Sequence, residues 1–225
     1  SLADAYVLTS STSGTANFGI YTVFLDNYLE DGEISYLFGI STLCGAFVLY
    51  AFATFSIDMG VRAAKACLEN TGVDPKDIDV ILCIGEEWKE YPLTTSAIYI
   101  QDQIGAVNAW GIDVQNRCCT CVAAMEIAKS MLIADDEIDT IMVVGGYRNG
   151  DFVDYADTNM SMMFNLAAGG GAIILKKNYG KNLLLGTKIM SDGSISRTAG
   201  VEIGGINNPI THENLEESRK SLRLM

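Results

Sequence analysis

Three cysteines within four positions, Cys118-Cys119-Thr120-Cys121, are the most reactive constellation in the 225-residue chain. They follow Gly111-Ile112-Asp113-Val114, which reads as a short strand, and precede a helix expected to run to about Ala134. A thiol delivered by a strand to a helix start faces unpaired backbone amides and the positive end of the helix dipole, and both favour thiolate. Thiolate is the nucleophilic form, so Cys118 in that position suits covalent acyl catalysis. The competing reading is a buried structural cysteine, the commonest fate of a free thiol. Cys118 and Cys121 also form a C-x-x-C, which suggests a redox pair or half of a metal site. Zinc would need two further ligands, and the one histidine, His212, lies far away in a polar tail, so no metal is expected.

Two other groups could do chemistry. Gly169-Gly170-Gly171 could cradle phosphate, but no Lys-Ser/Thr follows to make a P-loop, and glycines here suit a structural loop or strand packed closely on a neighbour. Glu86 and Glu87 follow the run 79–85, where active-site loops of parallel sheets lie, which makes Glu86 a candidate general acid/base beside the alternative of a solvated carboxylate.

The elements that must hold these residues alternate. Asp58 is expected to cap a helix through Leu68, ended by Asn70-Thr71-Gly72, and Val73-Asp74-Pro75 starts a turn. Residues 79–85 form a continuous apolar run, as in a strand covered on both faces. Thr95 to Ile104 reads as a helix ended by Gly105, and the helix after Cys118 is expected to place Val122, Met125, Ile127, Ala128, Met131 and Leu132 on or near its buried faces. Further strands are expected over Asp139–Gly146, Ala172–Leu175 and Leu183–Ile189, and a solvated helix over Glu213–Arg223. Helices alternating with strands predict a layered α/β sheet.

Composition narrows the partners. With 49% hydrophobic residues the chain is long enough to bury a good core. Fifteen Lys+Arg against 28 Asp+Glu leave a net charge of −13, which argues against nucleic acid and anionic lipid as partners. Of the six cysteines, those outside the 118–121 group lie inside apolar stretches, a pattern that suits a reducing compartment; no signal-peptide pattern opens the chain, so a cytoplasmic location is expected. Residues 36–56 carry no charge and are about as long as a membrane span; buried core or interface is the preferred reading, with a membrane helix as the alternative.

Four blocks in order resemble the thiolase superfamily, in its 3-oxoacyl-acyl carrier protein synthase III branch. They are Met59 to Gly85 including Gly72-Val73-Asp74-Pro75, Pro92-Leu93-Thr94-Thr95-Ser96-Ala97 through Gly105-Ala106, Gly111-Ile112-Asp113-Val114 with a cysteine five residues after the aspartate, and Val143-Val144-Gly145-Gly146 followed by Gly169 to Leu175. The resemblance implies a thiolase-like layered α/β/α fold, here mainly its N-terminal half: an unmatched segment over 1–56, the matched half over 57–190, and a connection over 191–225 toward a missing C-terminal half. It selects Cys118 over Cys119 and Cys121 as nucleophile, because the family's cysteine follows its strand aspartate by five residues. It further implies acyl transfer from coenzyme A to Cys118, decarboxylative condensation with a malonyl thioester, and an oxyanion hole that includes the Cys118 amide. Expected partners are acyl-CoA, acyl carrier protein and a second copy of the chain in a homodimer, with no tightly bound cofactor.

The sequence departs from the family at Asn116 and Arg117 before the nucleophile, at Cys119-Thr120 after it, and at Leu166-Ala167-Ala168 before the glycine run. Family members are about half as long again, and their second half supplies a catalytic His and Asn; His212 falls in the connection and is not assigned that role. Either the other half is a separate chain or, the preferred reading, this sequence is an incomplete version of a longer protein. Other readings stand beside the synthase: a 3-hydroxy-3-methylglutaryl-CoA synthase-like condensation in which the resemblance implies Glu86 as general acid/base, another acyl transfer to a hydroxyl or amine acceptor, and a non-catalytic binding or structural subunit.

Overall fold

A computed structural model describes residues 5–9, 56–85, 89–166, 168–180, 182–218 and 222–224. The candidate acid/base Glu86, its neighbour Glu87 and all of the apolar stretch 36–56 except Ser56 lie outside the described residues.

Five strands form one mixed sheet: β1 (Ala5–Thr9), β2 (Val80–Cys83), β3 (Trp110–Asp113), β4 (Thr140–Arg148) and β5 (Ala168–Lys177), in the order β1-β5-β4-β2-β3. β2 pairs in parallel with both β3 and β4, whereas β5 runs antiparallel to β4 and to β1. β2 is buried at all four positions, as its unbroken apolar run requires. Asp79 fixes the register at its entrance by accepting from the Asp139 and Thr140 amides at 2.8 and 2.9 Å.

Helices cover both faces. On one side α1 (Ser56–Thr71) and α2 (Ser96–Ile104) pack over alternate sheet residues: Val61, Ala64 and Cys67 of α1 and Ile100 and Ile104 of α2 meet Ile81, Met142, Val144 and Ile174. On the other, α3 (Thr120–Ala134) sets Ala124, Ala128 and Leu132 against Val80, Leu82, Ile141, Val143 and Leu175. The period-2 alternation along β2 and β4 thus divides their side chains between two cores. The expected α/β layering of a thiolase-like fold is present.

Local chemistry sets the ends of the helices. Gly105 closes α2 at φ 75°, donating to the Asp102 and Gln101 carbonyls, and Gly72 follows α1 at φ 68°; both occupy the left-handed region that glycine enters without Cβ strain. Asp58, expected as the cap of α1, instead lies in its first turn. The start of α1 is served from a distant loop, where Glu90 Oε1 accepts from the Ser56 hydroxyl at 2.8 Å and from the Ile57 amide at 3.2 Å.

Three other expectations are corrected. Residues 183–189 form no strand beyond an isolated bridge at Leu183; Leu184 leans on the α3-side core, Lys129 donates to the Leu185 carbonyl and Thr187 bonds Glu126, so the segment is held by α3 side chains rather than a sheet edge. Among the described residues the tail is helical over α4 (Leu215–Ser218), and the expected helix does not reach Arg223, because Leu222–Leu224 (β7) pairs antiparallel with Ala199–Val201 (β6). Val122 and Ile127, expected on or near the buried faces of α3, are 42% and 40% exposed, since the small Ala124 and Ala128 take the sheet-facing positions and let the helix approach closely.

Candidate active site

Because β2 and β3 are parallel, their carboxyl ends open on the same edge of the sheet. Asp113 is the last residue of β3, and its carboxylate collects three partners there. Oδ2 accepts from the Ser96 amide at 3.0 Å and Oδ1 from the Ala97 amide at 2.8 Å, so a side chain from β3 caps α2. The same carboxylate pairs with Lys89 Nζ, which also donates to the Thr94 carbonyl at 2.8 Å. Lys89 thereby ties the loop after β2 to the end of β3, while its neighbour Glu90 ties that loop to α1. Neither role was visible in the sequence, because each joins residues far apart along the chain.

Beyond Asp113 the chain makes one last sheet-like bond, Val114 N to Cys83 O at 2.8 Å, and then turns sharply. Arg117 adopts φ 50°, a left-handed conformation that costs a non-glycine residue about 1 kcal/mol or more. A 3-10 turn over Arg117–Cys119 leads into α3. The turn is clasped by Thr120, whose buried hydroxyl donates to the Arg117 carbonyl at 2.6 Å and accepts from the Asn116 amide at 2.7 Å. Cys119 N donates to Asn116 O at 3.1 Å. Cys118 and Cys119 are exposed on this turn, and Cys121 is half-buried against the α3-side core, where burial raises its thiol pKa. Cys118 thus stands in the turn just before the helix proper, whereas its helix was expected to start from it.

The other predicted residues lie elsewhere. Gly169–Gly171, read as a glycine loop, are inside strand β5, separated from β3 by β4 and β2, or about 14 Å at ordinary strand spacing. Gly170 faces Gly146 across the β4–β5 ladder, and a Cβ on either would collide with backbone of α1, at Met59 and Ser56 respectively. These glycines let α1 lie directly on the sheet. His212 is in an exposed turn of the tail. A small cavity beside Ser56, Cys83, Lys89 and Ser96 lies on the α1–α2 side of the sheet, opposite α3. Its thiol, Cys83, has its pKa pushed up to about 11, chiefly by burial. Among the described residues no group of three or more His, Cys, Asp or Glu is placed to hold a metal, and no helix is long and apolar enough to cross a membrane.

Comparison with known proteins places this arrangement. The family model for 3-oxoacyl-[acyl-carrier-protein (ACP)] synthase III matches residues 112–193, a stretch that opens in β3 and includes the cysteine turn. The beta-ketoacyl-[acyl-carrier-protein] synthase III of Syntrophomonas wolfei is 30% identical over 171 residues, which is 76% of this chain and 50% of that protein. Two solved structures share the fold. One is a 3-oxoacyl-(acyl-carrier-protein) synthase III, with a TM-score of 0.61 and 18% identity over 76% of this chain and 51% of that one. The other, the synthase III of Pseudomonas aeruginosa PAO1, has a TM-score of 0.58 and 20% identity, covering 76% and 50%. The chain spans about half the length of the curated relatives it matches. Its sequence matches are to 3-oxoacyl-[acyl-carrier-protein] synthase III proteins, and it shares their thiolase-like fold.

Proposed function

We propose that this chain carries the acyl-accepting cysteine of a 3-oxoacyl-acyl carrier protein synthase III-type condensing enzyme, and that the cysteine is Cys118. The observation that supports this most is the exposure of Cys118 on a clasped turn between the carboxyl end of a parallel strand and an apolar helix. In the first step the Cys118 thiolate attacks the carbonyl carbon of an acyl-CoA. The coenzyme A thiolate leaves with the electron pair of the broken C–S bond and is protonated, and a new thioester remains on Cys118. In the second step a malonyl thioester on acyl carrier protein loses carbon dioxide. The carbanion so formed attacks the acyl carbonyl, and Cys118 departs as thiolate.

The turn contributes in two ways. The Thr120 clasp fixes the backbone turn that carries Cys118, so less orientational freedom is lost on reaching the thioester. The Cys118 amide is a donor for the oxyanion that forms as the carbonyl is attacked. Condensation further calls on the His and Asn that the resemblance assigns to a second half, so acylation is the step this chain tests directly. A homodimer joined along β3 suits the same reading, because β3 ends the order of the sheet with Trp110 and Ile112 half exposed. The crowding of three cysteines at 118–121 and the placing of the others in apolar stretches suit a cytoplasmic setting.

The test is intact mass and peptide mapping after incubation with acetyl-CoA and longer acyl-CoAs. Cys118→Ser should abolish the acyl adduct, whereas Cys119→Ser and Cys121→Ser should retain it. No adduct on the wild-type chain, or an equal loss in all three variants, would reject Cys118 as acyl acceptor. With the complete enzyme, carbon dioxide release from a malonyl thioester separates this reaction from condensation onto acetoacetyl-CoA.

A further inference from the structure

Acyl transfer makes no use of the thiol one turn beyond Cys118. The two residues between Cys118 and Cys121 are both turned, Cys119 at φ −91°, ψ 1° and Thr120 at φ −57°, ψ −42°. A four-residue stretch folded this way brings its end Cα atoms to within about 7 Å, and side chains three apart on a helix lie about 5–6 Å apart at Cβ. A disulfide spans Cα separations of about 4.4–6.8 Å and Cβ separations of about 3.5–4.5 Å, so the turn brings the Cα atoms of Cys118 and Cys121 into range, and closing the bridge asks the two Cβ atoms to draw together by about 1–2 Å. Cys119 is less suited as a partner for Cys118, since adjacent side chains on such a turn do not face each other. The Thr120 clasp, to Asn116 and Arg117, holds the start of the turn that carries Cys118.

Exposure divides the two roles. Cys118 is open to solvent, and Cys121 is half-buried against the α3-side core. A dissolved disulfide therefore meets Cys118 first and leaves Cys121 as the thiol that answers from within. We propose that Cys118 and Cys121 form a thiol–disulfide exchange site for low-molecular-weight disulfides of the glutathione type, with Cys118 as attacking and Cys121 as resolving thiol. The proposal rests on the acyl-transfer reading only for its consequence, the blocking of acylation.

The steps balance. The Cys118 thiolate attacks one sulfur of the disulfide, displacing one thiolate, which takes up a proton equivalent to the one Cys118 gave up. Cys121 then loses its proton and attacks the Cys118 sulfur, expelling the second small thiol. The protein loses two hydrogens and the reagent is reduced to two thiols. The bridged Cys118 has no thiolate to attack a thioester and is shielded from sulfinic oxidation, and a dithiol reductant restores it.

The experiment incubates the full chain with glutathione disulfide, quenches by acid, and reads intact mass and a peptide map. Wild type should lose the mass of two hydrogens, with the bridge mapped to Cys118 and Cys121. Cys121→Ser should instead retain glutathione on Cys118. Subsequent acylation by acetyl-CoA should fall about tenfold or more in the oxidised wild type and recover with dithiothreitol. Glutathione retained on wild-type Cys118 as fully as in the variant, or a bridge from Cys118 to Cys119, would overturn the proposal. If the bridge forms but the reduced chain takes no acyl group, the exchange site stands and the acyl-transfer reading falls. If the chain is acylated but forms no bridge, the exchange site falls and acyl transfer stands.

Discussion

Two neighbouring parallel strands lead to thiols in opposite circumstances. Cys83 is the last residue of β2, a strand flanked on both sides by β4 and β3, where α1 and α2 close over it. Burial foremost, and then the nearby Asp113 carboxylate, push its pKa up to about 11 against the opposing Gly85 backbone, Lys89 and Ser96. Cys118 follows the end of β3, the last strand in the sheet order, and is exposed on a turn. Both thiols lie close to the carboxyl end of a parallel strand, the customary place for a reacting group. Only the one beyond the edge strand is reachable. Lys89, which lines the cavity beside Cys83, holds the loop after β2 to the end of β3, and Glu90 holds it to α1.

The contrast is open to direct attack. The largest effect should be in alkylation: at pH 8, iodoacetamide should modify Cys118 about a hundredfold faster than Cys83 in the folded chain, read by peptide-resolved kinetics. Equal rates would mean that β2 and β3 do not differ as described. Next come the glycines that admit α1. Gly146→Ala or Gly170→Ala, each driving a methyl into α1 backbone, should cost about 4 kcal/mol in denaturant unfolding, whereas Gly171→Ala, with open space around its Cβ, should cost far less.

Asp113 is the hinge of the comparison, since it caps α2 and pairs with Lys89 at once. Asp113→Ala should destabilise the chain by about 3 kcal/mol, and Asp113→Asn by less, because the amide oxygen still accepts while the charge is lost. Denaturant midpoints of the two variants would expose any reversal of that order. The smallest effect is in pH. The folded Cys83 thiol titrates at about 11 against an ordinary 9.0, so between those values the folded chain holds a proton that the unfolded chain has lost. Stability should therefore be intact below pH 9 and decline by about 2 kcal/mol toward pH 11, and Cys83→Ala should flatten that slope.

Much of the frame was legible in the residues. The apolar runs at 80–83 and 140–146, the left-handed glycines at 72 and 105, and the strand leading to Cys118 all carry local signals that survive into the fold. Residues 183–189 show why such signals fail: their apolar pattern suits a strand, but no sheet edge meets them, and bonds to Glu126 and Lys129 hold them elsewhere. Asp58 was a sound local candidate to cap α1, and a carboxylate 32 positions later serves that helix start instead. Thr120 did carry a signal, a hydroxyl at the start of a helix, and its role as clasp of the cysteine turn went unread.

By itself the sequence determined the alternation of strands and helices, the crowding of thiols at 118–121, and the four ordered blocks that resemble the synthase III branch. Those features depend on near neighbours, through backbone preferences and the period of apolar side chains. Tertiary structure decided which thiol is exposed, which glycines clear a path for α1, and which charges hold the loop after β2. Each of these depends on atoms brought together from distant positions. Desolvation, contact and ion pairing act over a few ångströms in space, and the order of residues along the chain does not fix those distances.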